Sequence, residues 1–238
     1  PRSAGSIMAV DSKGSIMGSI GGGKLEAEVI VQTKEAILKG ENEEFHYRLT
    51  EHESLKMVCG GDADGFIKVF IPKEKLLIIG AGHVGTELYN IGTCLNFEVT
   101  IIDDREEFAN VDRLPNASRV MCGDIGKMAS EFPVDSSTYI IIVSRGHSCD
   151  AEALKAVIGR DAAYIGMIGS GRKTTKIMTQ LLEEGIERDE LEKVYAPIGI
   201  DMGSQLPNEI ALGILAEVLV LKNGGQLAHM KNIKNLKW

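Results

Sequence analysis

With 238 residues, a hydrophobic fraction of 44% and a formal net charge of −8, the chain has enough apolar side chains to fill one large or two small cores. The acidic balance argues against a nucleic-acid surface or an anionic membrane as partner, and no apolar run reaches the roughly 18 residues of a spanning helix. Four scattered cysteines (Cys59, Cys94, Cys122, Cys149) form no C-x-x-C pair, which argues against a structural zinc site or a disulfide framework and for a reducing cytoplasm.

No signal peptide is visible, and the chain opens at Pro1 inside what reads as an ongoing motif, so an N-terminal piece is expected to be absent. Residues 1–72 read as a small α+β domain. Met8-Ala9-Val10 and Ser15–Ile20 are predicted strands of a hairpin around a Ser/Lys/Gly turn. Gly21-Gly22-Gly23 then opens a predicted helix from Lys24 to Leu38, with Leu25, Val29, Ala36 and Ile37 among its apolar residues. Gly22 and Gly23 join a strand to a helix start, where free N–H groups suit an anion. Tyr47-Arg-Leu-Thr and Phe66–Ile71 are further strand candidates, separated by the glycine-rich loop Cys59–Gly65. The Cys59 thiol, just before a glycine pair, is a candidate ligand, although a lone cysteine is more often buried filler. His46, His52 and His229 show no partners and read as surface residues. Pro72-Lys-Glu-Lys75 is the expected linker.

From residue 73 to 238 strands and helices alternate. Strands are predicted at 75–79, 98–103, 118–121, 138–144, 162–168 and 193–196, and helices at 83–95, 124–131, 149–159, 172–184 and 208–222. Near-continuous apolar strands in this alternation predict an α/β domain with a doubly wound parallel sheet, covered on both faces. The run Gly80-Ala-Gly-His-Val-Gly85 lies between the first strand and the first helix, and the second strand ends in Asp103-Asp104. This is the arrangement of a Rossmann dinucleotide-binding unit. In it Gly80 allows the tight turn, Gly82 lets a pyrophosphate approach the backbone, and Gly85 lets the helix pack on the strand. The helix opening at His83 would hold phosphate through its N–H groups and dipole.

Other candidates fall at strand ends, where such sheets bind ligands. Asp103 stands where ribose hydroxyls are usually held, and Arg105 could instead meet a phosphate; the alternative is a helix cap and a solvated arginine. Arg145, His147 and Asp150 follow the strand at Tyr139–Val143 and are expected to face the crevice, or else to belong to a capped helix start. Gly166-Met-Ile-Gly-Ser-Gly-Arg-Lys173 resembles a phosphate-binding P-loop but places Arg172 where its lysine belongs, which excludes a nucleotidase reading. Ser170, Arg172 and Lys173 still suit a phosphate or carboxylate. Asp201 and Glu209 could pair as acids, although a helix start explains them as caps.

Several strings converge on one family. GSIGGGKLEAEVI, MVCGG, IIGAGHVG, VTIIDDR, SRGHSCDAEAL, YIGMIGSGRK and APIGIDMGSQLPNEIALGILAEVL resemble the accessory proteins of xanthine dehydrogenase and CO dehydrogenase, the XdhC/CoxI family, over nearly the whole chain. The resemblance implies a chaperone rather than a turnover enzyme. Such a protein binds molybdenum cofactor (molybdopterin or its dinucleotide), assists its sulfuration with a cysteine desulfurase-type sulfurase, and delivers it to a molybdenum hydroxylase. It also implies a homodimer, in the reducing cytoplasm that the cysteine usage suggests. Many members carry a cysteine in the first glycine-rich motif where this chain has Lys24, which leaves Cys59 as the thiol in a family motif. GGGKLEA resembles the subgroup associated with aldehyde oxidoreductase maturation. The alternative is an NAD(P)-dependent oxidoreductase, against which stands the lack of an obvious Ser/Tyr/Lys proton relay.

Overall fold

The structure is a computed structural model, and it describes residues 4–48 and 62–229. The chain divides into two compact units, Pro1–Pro72 and Lys73–Trp238.

In the first unit, β1 (Met8–Val10) and β2 (Ile16–Gly18) form an antiparallel hairpin. Helix α1 (Gly23–Lys39) follows and stops at Gly40, whose left-handed backbone (φ 71°) sends its N–H back to the last turn. Strands β3 (Glu43–Arg48) and β4 (Asp62–Ile67) pair antiparallel. Leu25 and Val29 of α1 form a small core with Met8, Ile20, Phe45, Tyr47 and Ala63 packed against them. The last strand is therefore shifted from the expected Phe66–Ile71, and Asp62–Gly65 is strand rather than loop. Gly65 is the reason it can be. The Phe45 ring lies across it, and a Cβ at Gly65 would sit 2.2 Å from that ring, so glycine lets the ring lie over the strand in this pairing. The same pairing puts Asp64 opposite His46, whose Nδ1 it meets, so this surface histidine does have a partner.

The second unit carries a five-stranded parallel sheet in the order β7-β6-β5-β8-β9. Its strands are β5 (Lys75–Ile79), β6 (Glu98–Asp103), β7 (Arg119–Cys122), β8 (Thr138–Ile142) and β9 (Tyr164–Met167). Helices α2 (His83–Cys94), α3 (Ile125–Glu131), α4 (His147–Val157), α5 (Gly171–Glu183), α6 (Arg188–Leu191) and α7 (Pro207–Lys222) surround it. Alternate residues of each strand face opposite layers. Leu76, Ile78, Val99, Ile101 and Ile141 pack with Leu88 and Tyr89 of α2 and Ile214, Leu215 and Val218 of α7. Leu77, Ile79, Ile102, Ile140 and Ile142 pack with Ile125 of α3, Leu154 and Val157 of α4, and Ile177 and Leu181 of α5.

The expected sixth strand at 193–196 reduces to one bridge, Tyr195 beside Gly166. Pro197 has no N–H to donate, so the ladder along β9 cannot continue through it. The sheet's order reverses between β5 and β8, and their carboxyl ends frame the crevice where ligands enter such sheets. Among the described residues, no helix is long and apolar enough to cross a membrane.

Candidate functional site

Three glycines shape the turn between β5 and α2, for different reasons. Gly80 has φ 114°, and a Cβ there would lie 2.5 Å from the Val143 carbonyl oxygen, so only glycine lets the ends of β5 and β8 close together. A Cβ at Gly85 would lie 1.8 Å from the Gly80 carbonyl oxygen, which brings α2 directly onto the turn. Gly82 differs. Its φ is −67°, and among the described residues nothing lies within 4 Å of the position of a Cβ. Packing within the chain therefore does not demand glycine here, and the open space borders the start of α2. Among the described residues no side chain caps this helix, so the N–H groups of its first turn receive no side-chain acceptor. His83, its first residue, is exposed.

Asp103 ends β6 and is 1% exposed. Its carboxylate accepts four hydrogen bonds. Oδ2 takes Ala81 N–H (2.7 Å) and Arg105 Nη2 (2.9 Å), while Oδ1 takes Arg105 N–H (3.0 Å) and Nε (2.8 Å). The acid expected to receive a ribose is thus engaged by its own chain, stapling the glycine turn to the end of β6. The Arg105 guanidinium also lies 3.7 Å over the Phe108 ring. Burial pushes the Asp103 carboxyl up, but the bonds from Arg105 and Ala81 outweigh it and hold it below its ordinary value. A carboxyl lowered on folding stabilises the native state above the unfolded value, near pH 4, and loses that contribution as the pH falls through the folded value. Asp103→Asn is therefore expected to destabilise the chain most at neutral pH. In urea titrations at pH 6, 4.5 and 3, the gap between the two proteins should narrow steadily; a gap that widens toward acid would contradict this.

Beyond β8, Arg145, Gly146 and His147 are exposed at the start of α4. Asp150, expected at the crevice surface, is instead fully buried because two partners draw it inward. It accepts from Ser144 Oγ (2.5 Å) and pairs with Lys173 Nζ. Ser170 caps α5 by accepting the Lys173 N–H (3.3 Å), while Arg172 is exposed. Ser144 also flanks Gly80, since its Cα would lie 2.7 Å from a Cβ there. Contacts thus run from the glycine turn through Ser144 and Asp150 to Lys173, which joins three motifs far apart in sequence.

One cluster carries no obvious sequence signal beyond an acid set in an apolar helix. Glu217 of α7 accepts from Tyr164 Oη (2.5 Å) and from the Gly199 N–H (3.1 Å), tying β9 and the following turn to α7. Burial, then the adjacent Glu217, pushes the Tyr164 phenol far up, so it stays protonated. Asp201 and Glu209 do not pair as acids. Asp201 accepts from Gly203 N–H, and Glu209 reaches back to the N–H groups of Gln205 and Leu206, as helix caps do.

In the first unit, the helix start at Gly22 and Gly23 already holds a carboxylate. Glu26 Oε2 accepts from Ser19 Oγ (2.6 Å) and from the N–H groups of Ile20 (3.0 Å) and Gly22 (3.1 Å). The Ser19 bond, with the backbone N–H groups, holds this carboxyl below its usual range. An external anion there would compete with Glu26. Cys59 lies outside the described residues.

Comparison with known proteins gives the family. Residues 76–218 match the family described as the XdhC Rossmann domain, and residues 1–48 the XdhC and CoxI family. An Escherichia coli protein, uncharacterized protein YqeB, is 30% identical over 219 residues, covering 91% of this chain and 40% of that protein. The E. coli molybdenum cofactor insertion chaperone PaoD is 28% identical over 95 residues, covering 40% of this chain and 30% of that protein. The matched segments thus span less than half the length of either relative. A crystal structure from Bacillus halodurans, described as a xanthine dehydrogenase, aligns with TM-score 0.58 at 17% identity, over 98% of this chain and 90% of that one, and so shares the fold. On the match over residues 76–218, the chain belongs to the XdhC family of Rossmann-domain proteins.

Proposed function

We propose that this chain binds molybdenum cofactor and supports its insertion into a molybdenum hydroxylase. The observation that carries the reading is the open space over Gly82 at the uncapped start of α2. A phosphate placed there would meet free backbone N–H groups and the positive end of a helix dipole. The cofactor's phosphate, or the pyrophosphate of its dinucleotide form, supplies that group. The likeness to a chaperone described as inserting this cofactor supports the choice of ligand.

In this reading Gly80 shapes the turn, and Gly82, His83 and Gly85 present N–H groups to the phosphate. Arg145, His147, Ser170, Arg172 and Lys173 line the crevice's other side, beyond β8 and β9. Cys59 offers a soft thiolate suited to molybdenum–sulfur chemistry, and sulfuration would proceed with a sulfurase partner. The protein would act in the cytoplasm as a homodimer. An oxidoreductase reading that holds NAD by its ribose is weaker, because Asp103 has no lone pair left for the diol.

Gly82→Asp tests the proposal. The substitution places charge and bulk into open space, so the fold should survive while phosphate is excluded. Protein purified from a molybdenum-replete host should carry pterin, measured as its fluorescent oxidation product. Gly82→Asp should carry at least about tenfold less, with an unchanged melting temperature. Equal pterin in both proteins, or none in the wild type, would overturn the assignment.

A further inference from the structure

We propose that the start of α5 is a second phosphoryl-binding subsite, separate from the glycine turn, built by the N–H groups of Gly171 and Arg172, the Arg172 guanidinium and the Thr174 hydroxyl. The inference rests on the reading of the crevice as the site of an anionic cofactor, and it gives that ligand a second anchoring point.

Thr174 is 8% exposed, and its Oγ1 is buried with no hydrogen-bond partner among the described residues. A buried hydroxyl left unpaired costs free energy, so native proteins seldom keep one without a reason. This oxygen would lie 3.2 Å from a Cβ at Gly169, and the Lys173 stem 3.3 Å from it. The hydroxyl therefore faces a notch that exists because residue 169 has no side chain. The backbone at Gly169 is not left-handed, so its conformation does not itself demand glycine. Among the described residues the other such hydroxyl is Thr93, in the last turn of α2, at the opposite end of that helix from the glycine turn.

Beside the notch, the first turn of α5 is short of acceptors. Lys173 N–H goes to Ser170 Oγ (3.3 Å) and Thr174 N–H to the Ser170 carbonyl (2.9 Å). The N–H groups of Gly171 and Arg172 have no acceptor among the described residues. Nothing among those residues lies within 4 Å of the position of a Cβ at Gly171, so a ligand can approach the two groups. The turn holds no acid but carries Arg172 and Lys173. Cations at the positive end of a helix are unfavourable unless an anion joins them. Lys173 has its anion in Asp150, whereas Arg172 is exposed and has no ion pair among the described residues.

Two backbone N–H groups, a guanidinium and a hydroxyl all offer donors. A phosphoryl group meets them with three acceptor oxygens, a carboxylate with two. The subsite is also distinct from the glycine turn. Helix α5 follows β9 and α2 follows β5, with β8 between those strands. Neighbouring strands lie about 4.8 Å apart, so the two strand ends are about 10 Å apart. The helices moreover pack on opposite faces of the sheet, α2 through Leu88 and α5 through Ile177. A single phosphate cannot touch both helix starts.

Titration of the full, isotopically labelled chain with inorganic phosphate, followed by amide NMR, reads each subsite at its own residues. The Gly171 and Arg172 signals should shift and saturate independently of those of Gly82 and His83. Gly171→Asp puts a carboxylate into open space and should weaken phosphate at α5 at least about tenfold, read at Arg172, while the response at Gly82 stays unchanged. Thr174→Val keeps the side-chain shape and should weaken phosphate at α5 at least about threefold without lowering the melting temperature, since the hydroxyl has no partner to lose. A lower melting temperature with unchanged phosphate affinity would make that hydroxyl structural and overturn the inference. Shifts at Gly82 and His83 with none at Gly171 and Arg172 would overturn it too, and leave the reading of the glycine turn intact. Shifts at α5 alone would uphold this subsite and overturn the glycine-turn cradle; shifts at neither would overturn both.

Discussion

Gly85→Ala is expected to destabilise the second unit by about 3 kcal/mol or more, near the upper end for a single overpacked site. The added methyl would sit 1.8 Å from the Gly80 carbonyl oxygen and 2.9 Å from its carbon. Both are backbone atoms, so no rotamer change relieves the clash. Gly80 cannot retreat, because its N–H is held by the Ile102 carbonyl (2.7 Å) and its Cα faces the Val143–Ser144 backbone. Helix α2 must therefore tilt off the sheet and draw Leu88 and Tyr89 out of the core. Urea unfolding should show a large fall in midpoint with little change in slope, whereas Gly82→Ala should fall within about 0.5 kcal/mol of wild type. A Gly85→Ala protein as stable as wild type would mean that α2 is not seated on the turn as described.

The second large effect belongs to the buried ion pair beyond β8. Lys173→Met should cost about 3–5 kcal/mol, because it leaves the Asp150 carboxylate buried without its cation. Ser144 alone cannot compensate a full charge. The double variant Asp150→Leu/Lys173→Met should recover most of that loss, since replacing both partners by apolar groups of similar size is often nearly neutral. A double-mutant cycle in urea reads both. If the single and double variants are equally unstable, Lys173 contributes through packing of its stem and not through the pair.

The main architecture was legible from patterns local to the chain. Apolar runs such as Leu76–Ile79 and Ile140–Val143 mark strands buried on both faces, and the glycine spacing after β5 marks a turn into a helix. Within the first unit the reading slipped by four residues at β4, because the role of Gly65 depends on Phe45, twenty residues away and across the sheet. The strand expected at 193–196 failed for a related reason: its apolar pattern was sound, but Pro197 ends the ladder that β9 could offer.

The residues proposed for the site lie at the glycine turn and strand ends that sequence patterns mark, but their bonding partners were not legible there. The sequence by itself determined the succession of strand, glycine turn and helix from β5 to α2, and that Gly80, Gly82 and Gly85 share one turn. These follow from steric rules acting over a few residues. Only the tertiary structure decided which polar groups are already satisfied. Asp103 is closed by Arg105, Asp150 is drawn inward by Lys173, Glu26 occupies the start of α1, and Gly82 alone of the three glycines faces open space. The physical reason is that a hydrogen bond or ion pair depends on distances of about 3 Å between groups whose sequence separation says nothing about their meeting.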